Sequence, residues 1–133
     1  MSQRIGLIGL GLMGAPMARN WLAKGFQLTI LPHKNMKTRD ELTALGARVA
    51  LSLEDLARQS DVIVLMVPTS NEVEAICLGP KGLQKFLTPD HLVIDMTTSD
   101  PISTKKIFKT FQKRGLRFFD APVTGGVKGA EAG

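Results

Sequence analysis

The stretch RIGLIGLGLMGAPMARNWL, residues 4–22, limits the fold more than any other part of the chain. Its short apolar run, Arg4–Ile8, predicts a strand that stops at Gly9. Apolar residues at helical spacing then predict a helix over Met13–Ala23. A strand that passes through a glycine-rich turn into a helix is the opening of a β-α-β unit.

The glycines of this turn follow the pattern G-x-G-x-x-G at Gly9, Gly11 and Gly14. In that pattern the first glycine permits a tight turn, the second lets the backbone approach a pyrophosphate, and the third lets the helix pack closely. The first amides of the helix would face the phosphates. We therefore predict a dinucleotide site that includes Gly9, Leu10, Gly11, Leu12, Met13 and Gly14. The alternative is a turn that needs glycines for its geometry alone; a Walker-type phosphate loop is excluded because no Gly-Lys-Ser/Thr follows.

The rest of the chain continues to alternate between strands and helices. The six apolar residues Val62–Val67 contain no polar position, which predicts a strand covered on both faces, as in a parallel sheet. Further strands are predicted at Leu28–Leu31, Leu92–Ile94 and Arg117–Phe119, and further helices at Thr38–Leu45 and from Pro101 to just before Gly115. The sequence predicts one domain over residues 1–133, an α/β fold of the Rossmann type. Its sheet is doubly wound and mostly parallel, with helices on both faces.

Composition restricts the function classes. The chain is 44% apolar and 22% charged, as expected of a globular protein, and no apolar run approaches the length of a membrane helix. A secretory signal is not predicted, and the single cysteine, Cys77, predicts a reducing, cytoplasmic setting and a buried helix residue rather than a nucleophile. The net charge is +5, but one Trp and no Tyr offer little for base stacking, so a small phosphorylated ligand is favoured over nucleic acid. No metal site is predicted.

The residues after the second strand bear on the choice of cofactor. NAD-binding proteins usually carry an acidic residue about 20 positions after the glycine turn, which holds the adenosine ribose. Here that place is occupied by Pro32, His33 and Lys34. Since His33 and Lys34 would attract a 2′-phosphate, the sequence favours NADP over NAD, with NAD still possible. The alternative is that both are ordinary solvated loop residues.

Four segments, in order along the chain, resemble the β-hydroxyacid dehydrogenases. They are GLIGLGLMGAPMARNWLAKG, VLMVPTSNEVEAICLGPKGL, VIDMTTSDP and FFDAPVTGGVKGAEAG. That family includes 3-hydroxyisobutyrate dehydrogenase and tartronate semialdehyde reductase, and the cofactor domain of 6-phosphogluconate dehydrogenase is related to it.

The resemblance implies an oxidoreductase of small β-hydroxy acids that uses NADP or NAD, and it implies roles for single residues. Val67 and Pro68 would line the nucleotide cleft, and Thr97 would lie by the nicotinamide. Substrate would be bound by Thr124, Gly125 and Gly126. The family more often has Ser where Thr124 stands, and the added methyl group could alter the fit of the substrate.

The resemblance also implies that the catalytic lysine lies beyond Gly133, with an all-helical second domain and the last strands of the sheet. We therefore expect a fragment that is inactive by itself, with an exposed edge strand at Arg117–Ala121 and Lys128 in a surface loop. An intact version is expected to be a homo-oligomer. Two alternatives stay open, namely a non-catalytic nucleotide-binding or protein-interaction module and an imine-reducing relative.

Overall fold

The structure is a computed structural model that describes residues 3–123 and 125–133. The strands of this part of the chain are β1 (Arg4–Ile8), β2 (Gln27–Leu31), β3 (Arg48–Val49), β4 (Val62–Leu65), β5 (Leu92–Asp95) and β6 (Arg117–Asp120). The helices are α1 (Gly14–Ala23), α2 (Met36–Ala44), α3 (Leu53–Arg58), α4 (Ser70–Leu78), α5 (Pro101–Lys113) and α6 (Gly126–Ala132), and a short 3-10 turn covers Leu83–Lys85. Among these helices, none combines the length and the apolar character needed to cross a membrane.

The strands form one sheet in the order β3-β2-β1-β4-β5-β6, and every neighbouring pair is parallel. From β1 the chain moves outward through β2 to β3, then crosses to β4 on the other side of β1. The order therefore reverses between β1 and β4, where the carboxyl ends of the strands open a crevice. This topology confirms the predicted doubly wound Rossmann sheet.

Helices cover both faces of the sheet, as the unbroken apolar run in β4 predicted. Ile63 and Leu65 point to one core, which they share with residues of α3, α4 and α5. Val64 points to the other core, which contains residues of α1 and α2. A strand between two cores needs apolar side chains at every position, which explains the sequence of β4.

Two features at strand and chain ends differ from the prediction. β4 ends at Leu65 and not at Val67, because the Val67 amide donates to the Thr97 hydroxyl instead of to a neighbouring strand. The predicted loop around Lys128 is wrong: Gly126–Ala132 form helix α6, although Lys128 is exposed as predicted. The glycines of this segment disfavour a helix, but α6 docks on α1, where the Asn20 side chain donates to two backbone carbonyls of α6.

The predicted edge strand and the predicted buried cysteine are both found. Within the described residues β6 pairs with β5 alone, and Phe119 on it is 59% exposed. Cys77 is fully buried in α4, and this burial raises the pKa of its thiol, which disfavours the reactive thiolate.

Phe111 is the largest fully buried side chain, and it should dominate the core beneath β6. Its ring meets that of Phe118 edge to face, with 5.6 Å between centroids. We expect Phe111→Ala to lower the free energy of unfolding by about 3–5 kcal/mol. Phe108→Ala, on the exposed side of the same helix, should cost under about 1 kcal/mol. Urea denaturation measures both, and equal losses would contradict the assignment of the core.

A forked ion pair closes the amino edge of the sheet. Arg4 Nη2 and Nε donate to the carboxylate of Asp61 at 2.9 and 3.3 Å, and the Arg4 amide donates to the same carboxylate at 2.9 Å. These hydrogen bonds with Arg4 lower the pKa of Asp61. Because both side chains are 43% exposed, solvent screens the pair, and it is worth at most about 1 kcal/mol.

The Arg4–Asp61 pair should make part of the stability depend on pH. A carboxyl whose pKa is lowered in the folded state stabilises the fold above its unfolded pKa of about 4, and this contribution is lost as the pH falls through the folded value. Asp61→Asn should therefore be less stable than wild type at neutral pH, with a difference that shrinks as the pH falls below the unfolded pKa of about 4 and through the lower folded value. Denaturation curves at several pH values test this, and a constant difference would contradict it.

Candidate dinucleotide site at the carboxyl edge of the sheet

The glycine turn between β1 and α1 has two crowded positions and one open position. Gly9 has a φ of +111°, and a Cβ there would collide with the Met66 carbonyl. A Cβ on Gly14 would collide with the Gly9 carbonyl, whereas a Cβ on Gly11 would meet nothing within 4 Å. Gly9 and Gly14 are thus required by the fold itself, and Gly11 leaves space over the turn.

Helix α1 begins differently from four of the other helices. Side chains of Asn35, Ser52, Thr69 and Asp100 cap α2, α3, α4 and α5 by accepting a backbone N–H. In the described chain no side chain caps α1, and its first turn contains no acidic residue. The Ala15 amide donates to the Gly11 carbonyl at 3.1 Å and Pro16 has no N–H, so the start of α1 offers an anion the Gly14 amide and the positive end of the helix dipole.

The loop after β4 lies directly beside the glycine turn. The Met66 amide donates to the Ile8 carbonyl at 2.9 Å, and the Val67 side chain approaches the position that a Cβ on Gly9 would take. Val67 is half-buried and Pro68 is exposed. The predicted cleft residues that follow β1 and β4 are thus brought together at the point where the strand order reverses.

Asp95, the last residue of β5, organises the next loop. Its carboxylate is fully buried and accepts the Thr97 amide at 2.9 Å through Oδ1 and the Ser99 hydroxyl at 2.8 Å through Oδ2. Asp95 is also in register with Asp120 on β6. Partial desolvation and the charge of Asp95 raise the pKa of Asp120.

Thr97 is predicted to lie by the nicotinamide, but its side chain is buried inside the protein. It is only 1% exposed, and its hydroxyl accepts the Val67 amide at 3.1 Å and donates to the Leu65 carbonyl at 3.5 Å. Its neighbour Thr98 is exposed. The motif VIDMTTSDP contains both threonines, and its first Asp, Asp95, is the signal for a turn in which a carboxylate accepts the backbone amide two residues on.

The predicted substrate residues lie where α6 begins. Gly125 and Gly126 are exposed and have φ values of +96° and +59°, a backbone that suits glycine. Thr124 lies outside the described residues. Between α1 and α6 is an open, mostly apolar cavity of about 270 Å³, and Met13, Met96 and Val123 bring segments after β1, β5 and β6 to its wall.

His33 and Lys34 lie apart from these groups, on the other side of β1. Both are exposed in the turn between β2 and α2. Asn35, and no acidic residue, caps α2 by accepting the Thr38 amide at 3.0 Å. The carboxyl edge thus carries His33 and Lys34 after β2, a glycine turn at its centre, and hydroxyl-bearing loops after β4 and β5.

Comparison with known proteins decides the family. Residues 4–133 match the family model described as the NAD-binding domain of 6-phosphogluconate dehydrogenase. The chain belongs to this family. This match confirms the predicted resemblance to the β-hydroxyacid dehydrogenases, and the curated relatives described next support it as well.

Two curated relatives and one solved structure illustrate the similarity. The chain is 41% identical to the NAD-dependent L-serine dehydrogenase of Pseudomonas aeruginosa over 98% of its length, and 38% identical to the 2-hydroxy-3-oxopropionate reductase of Escherichia coli, also over 98%. The solved 3-hydroxyisobutyrate dehydrogenase of Mycobacterium tuberculosis, in a structure with L-serine, is 30% identical over 99% of the chain with a TM-score of 0.87. The chain spans 44% of the length of each of these proteins.

The three glycines of the turn should respond differently to alanine. Gly9→Ala and Gly14→Ala should each lower the free energy of unfolding by about 2 kcal/mol or more, because a methyl group would displace backbone. Gly11→Ala should stay within about 0.5 kcal/mol of wild type. Thermal and urea denaturation check the order, and a Gly11→Ala variant as unstable as the other two would contradict it.

Proposed function

We propose that residues 1–133 form a dinucleotide-binding domain, the cofactor half of an oxidoreductase that transfers hydride between a nicotinamide cofactor and a small β-hydroxy acid. The observation that carries this proposal is the open space over Gly11, beside an uncapped helix and at the reversal of the strand order. The names of the relatives support the hydroxy acid class.

The proposed cofactor fits the glycine turn by chemistry as well as by shape. A pyrophosphate carries negative charge and needs N–H donors at close range, and the start of α1 offers the Gly14 amide and a positive dipole end. A side chain at Gly11 would fill the space that the phosphates need. We assign Gly9 to Gly14, with Leu10, Leu12 and Met13, to the pyrophosphate.

The adenosine end of the cofactor is proposed to lie over β2, beside His33 and Lys34. Their exposure leaves both side chains accessible to a 2′-phosphate, and we propose a preference for NADP on this ground. The L-serine dehydrogenase relative is named as NAD-dependent. A direct comparison of the two cofactors decides between them.

The nicotinamide end is proposed to lie over β4 and β5, lined by Val67, Pro68 and the loop of Thr97 and Thr98. Because the Thr97 hydroxyl is hydrogen-bonded to backbone groups of Val67 and Leu65, we assign the direct contact with the nicotinamide to the exposed Thr98 and an indirect role to Thr97. The cofactor supplies the hydride chemistry, and this chain holds and orients the ring. Gly125 and Gly126, with Thr124, are proposed to receive the hydroxy acid.

The proposal is tested by titrating the chain with NADPH and with NADH, following nicotinamide fluorescence at low salt. We expect tighter binding of NADPH. His33→Ala and Lys34→Ala should each weaken the binding of NADPH about tenfold and leave that of NADH unchanged, because a hydrogen bond to the 2′-phosphate is lost. Gly11→Ala should weaken the binding of both cofactors without loss of protein stability. Lys81→Ala, an exposed lysine at the amino edge of the sheet, is the matched control and should change neither affinity.

Each result has a defined meaning. Failure of the folded wild type to bind either dinucleotide would overturn the proposal. Equal binding of both, unaffected at positions 33 and 34, would reject the NADP preference while keeping the cofactor site. If L-serine or 3-hydroxyisobutyrate leaves the affinity for the oxidised cofactor unchanged, a nucleotide-binding module without a hydroxy acid site is favoured instead.

A further inference from the structure

We propose that Asp95 is a positioning residue, whose buried carboxylate fixes the loop that presents Thr98 to the nicotinamide half of the cofactor. This inference rests on the proposed function. It assigns a role to the most deeply buried charged group at the carboxyl edge, one that touches no ligand itself.

The bonds of Asp95 are suited to holding a loop in one conformation. One carboxylate oxygen accepts the backbone N–H of Thr97 and the other accepts the hydroxyl of Ser99, at 2.9 and 2.8 Å. These two bonds are made on either side of Thr98, so they determine the direction of its side chain. With the carboxylate removed, the Thr97 amide would be left buried without an acceptor, which is costly enough to rearrange the turn.

A second set of bonds ties this loop to the loop after β4. The Thr97 hydroxyl accepts the Val67 amide at 3.1 Å, and the Asp100 amide donates to the Ser70 hydroxyl at 2.6 Å. Asp95 thus acts on Thr97 directly and on Val67 through it. The two loops form one hydrogen-bonded wall, which we define as residues 66–70 with residues 96–100.

The strand order places this wall on one half of the cleft. Residues that would hold the adenosine end lie beyond β2, whereas the wall follows β4 and β5 on the other side of β1. In a sheet of this order each half binds one mononucleotide. A change at Asp95 should therefore weaken binding of the nicotinamide half of the cofactor and leave binding of the adenosine half unchanged. A general loss of stability would weaken both.

The experiment compares three ligands on the 133-residue chain by titration calorimetry: NADPH, nicotinamide mononucleotide and adenosine 2′,5′-bisphosphate. Asp95→Ala is expected to weaken the binding of NADPH and of nicotinamide mononucleotide about tenfold or more. It should leave the affinity for the adenosine bisphosphate unchanged. Asp95→Asn should recover most of the loss. Its oxygen can still accept the Thr97 amide, and the Ser99 hydroxyl can turn to accept from the new NH₂ group.

Asp61→Ala is the matched control, since Asp61 also accepts a backbone amide and side-chain donors but lies at the opposite edge of the sheet. It should lower stability and change none of the three affinities. If Asp95→Ala does not fold, Ser99→Ala removes the hydroxyl bond to the carboxylate, and Thr97→Val removes the hydroxyl that accepts the Val67 amide, both with little change of shape. Each should reproduce part of the selective loss.

Two results would overturn the inference while leaving the proposed function intact. In the first, wild type and the variants at 95, 97 and 99 bind NADPH with equal affinity. In the second, the variants bind both mononucleotide ligands more weakly, and to the same extent. A wild-type chain that binds no dinucleotide at all would overturn the proposed function and this inference together.

Discussion

The structure depends on the parallel pairing of β1 with strands on both of its sides. Because β2 and β4 both run parallel to β1, each must be reached by a crossover, and each crossover places a helix on a face of the sheet. The two cores, the reversal of strand order and the crevice at the carboxyl edge all follow from this one arrangement. The glycine turn lies at that edge because it leaves β1 itself.

Much of this could be predicted from the sequence because the relevant signals are local. An apolar run without polar positions indicates a strand between two cores. The run that forms β4 continues to Val67, whereas the strand ends at Leu65, before the Val67 amide that donates to the Thr97 hydroxyl. That end could not be predicted, since the competing hydrogen bond comes from a residue 30 positions away. Helix α6 was missed for a similar reason: its glycines suggest a loop, and only its docking on Asn20 of α1 favours a helix.

The candidate site shows the same division between local and distant information. The role of Gly14 can be inferred from spacing, because the collision it avoids is with the Gly9 carbonyl of the same turn, whereas the collision that Gly9 avoids is with the Met66 carbonyl of the loop after β4. Which of two adjacent threonines faces the cleft depends on the carboxylate of Asp95 and on the end of β4. The sequence motif contains Thr97 and Thr98 without distinguishing them, and the family match does not separate NAD from NADP either.

The different environments of the site residues bear on how such a protein can change over evolutionary time. Gly9 and Gly14 are confined by neighbouring backbone, so almost any replacement there would cost stability before it altered function. His33 and Lys34 are exposed in a turn whose helix is capped by another residue, Asn35. Under the proposed function, substitutions at 33 and 34 would alter cofactor selectivity at little cost to the fold. Mutational robustness and evolvability would then belong to different residues of one proposed cleft.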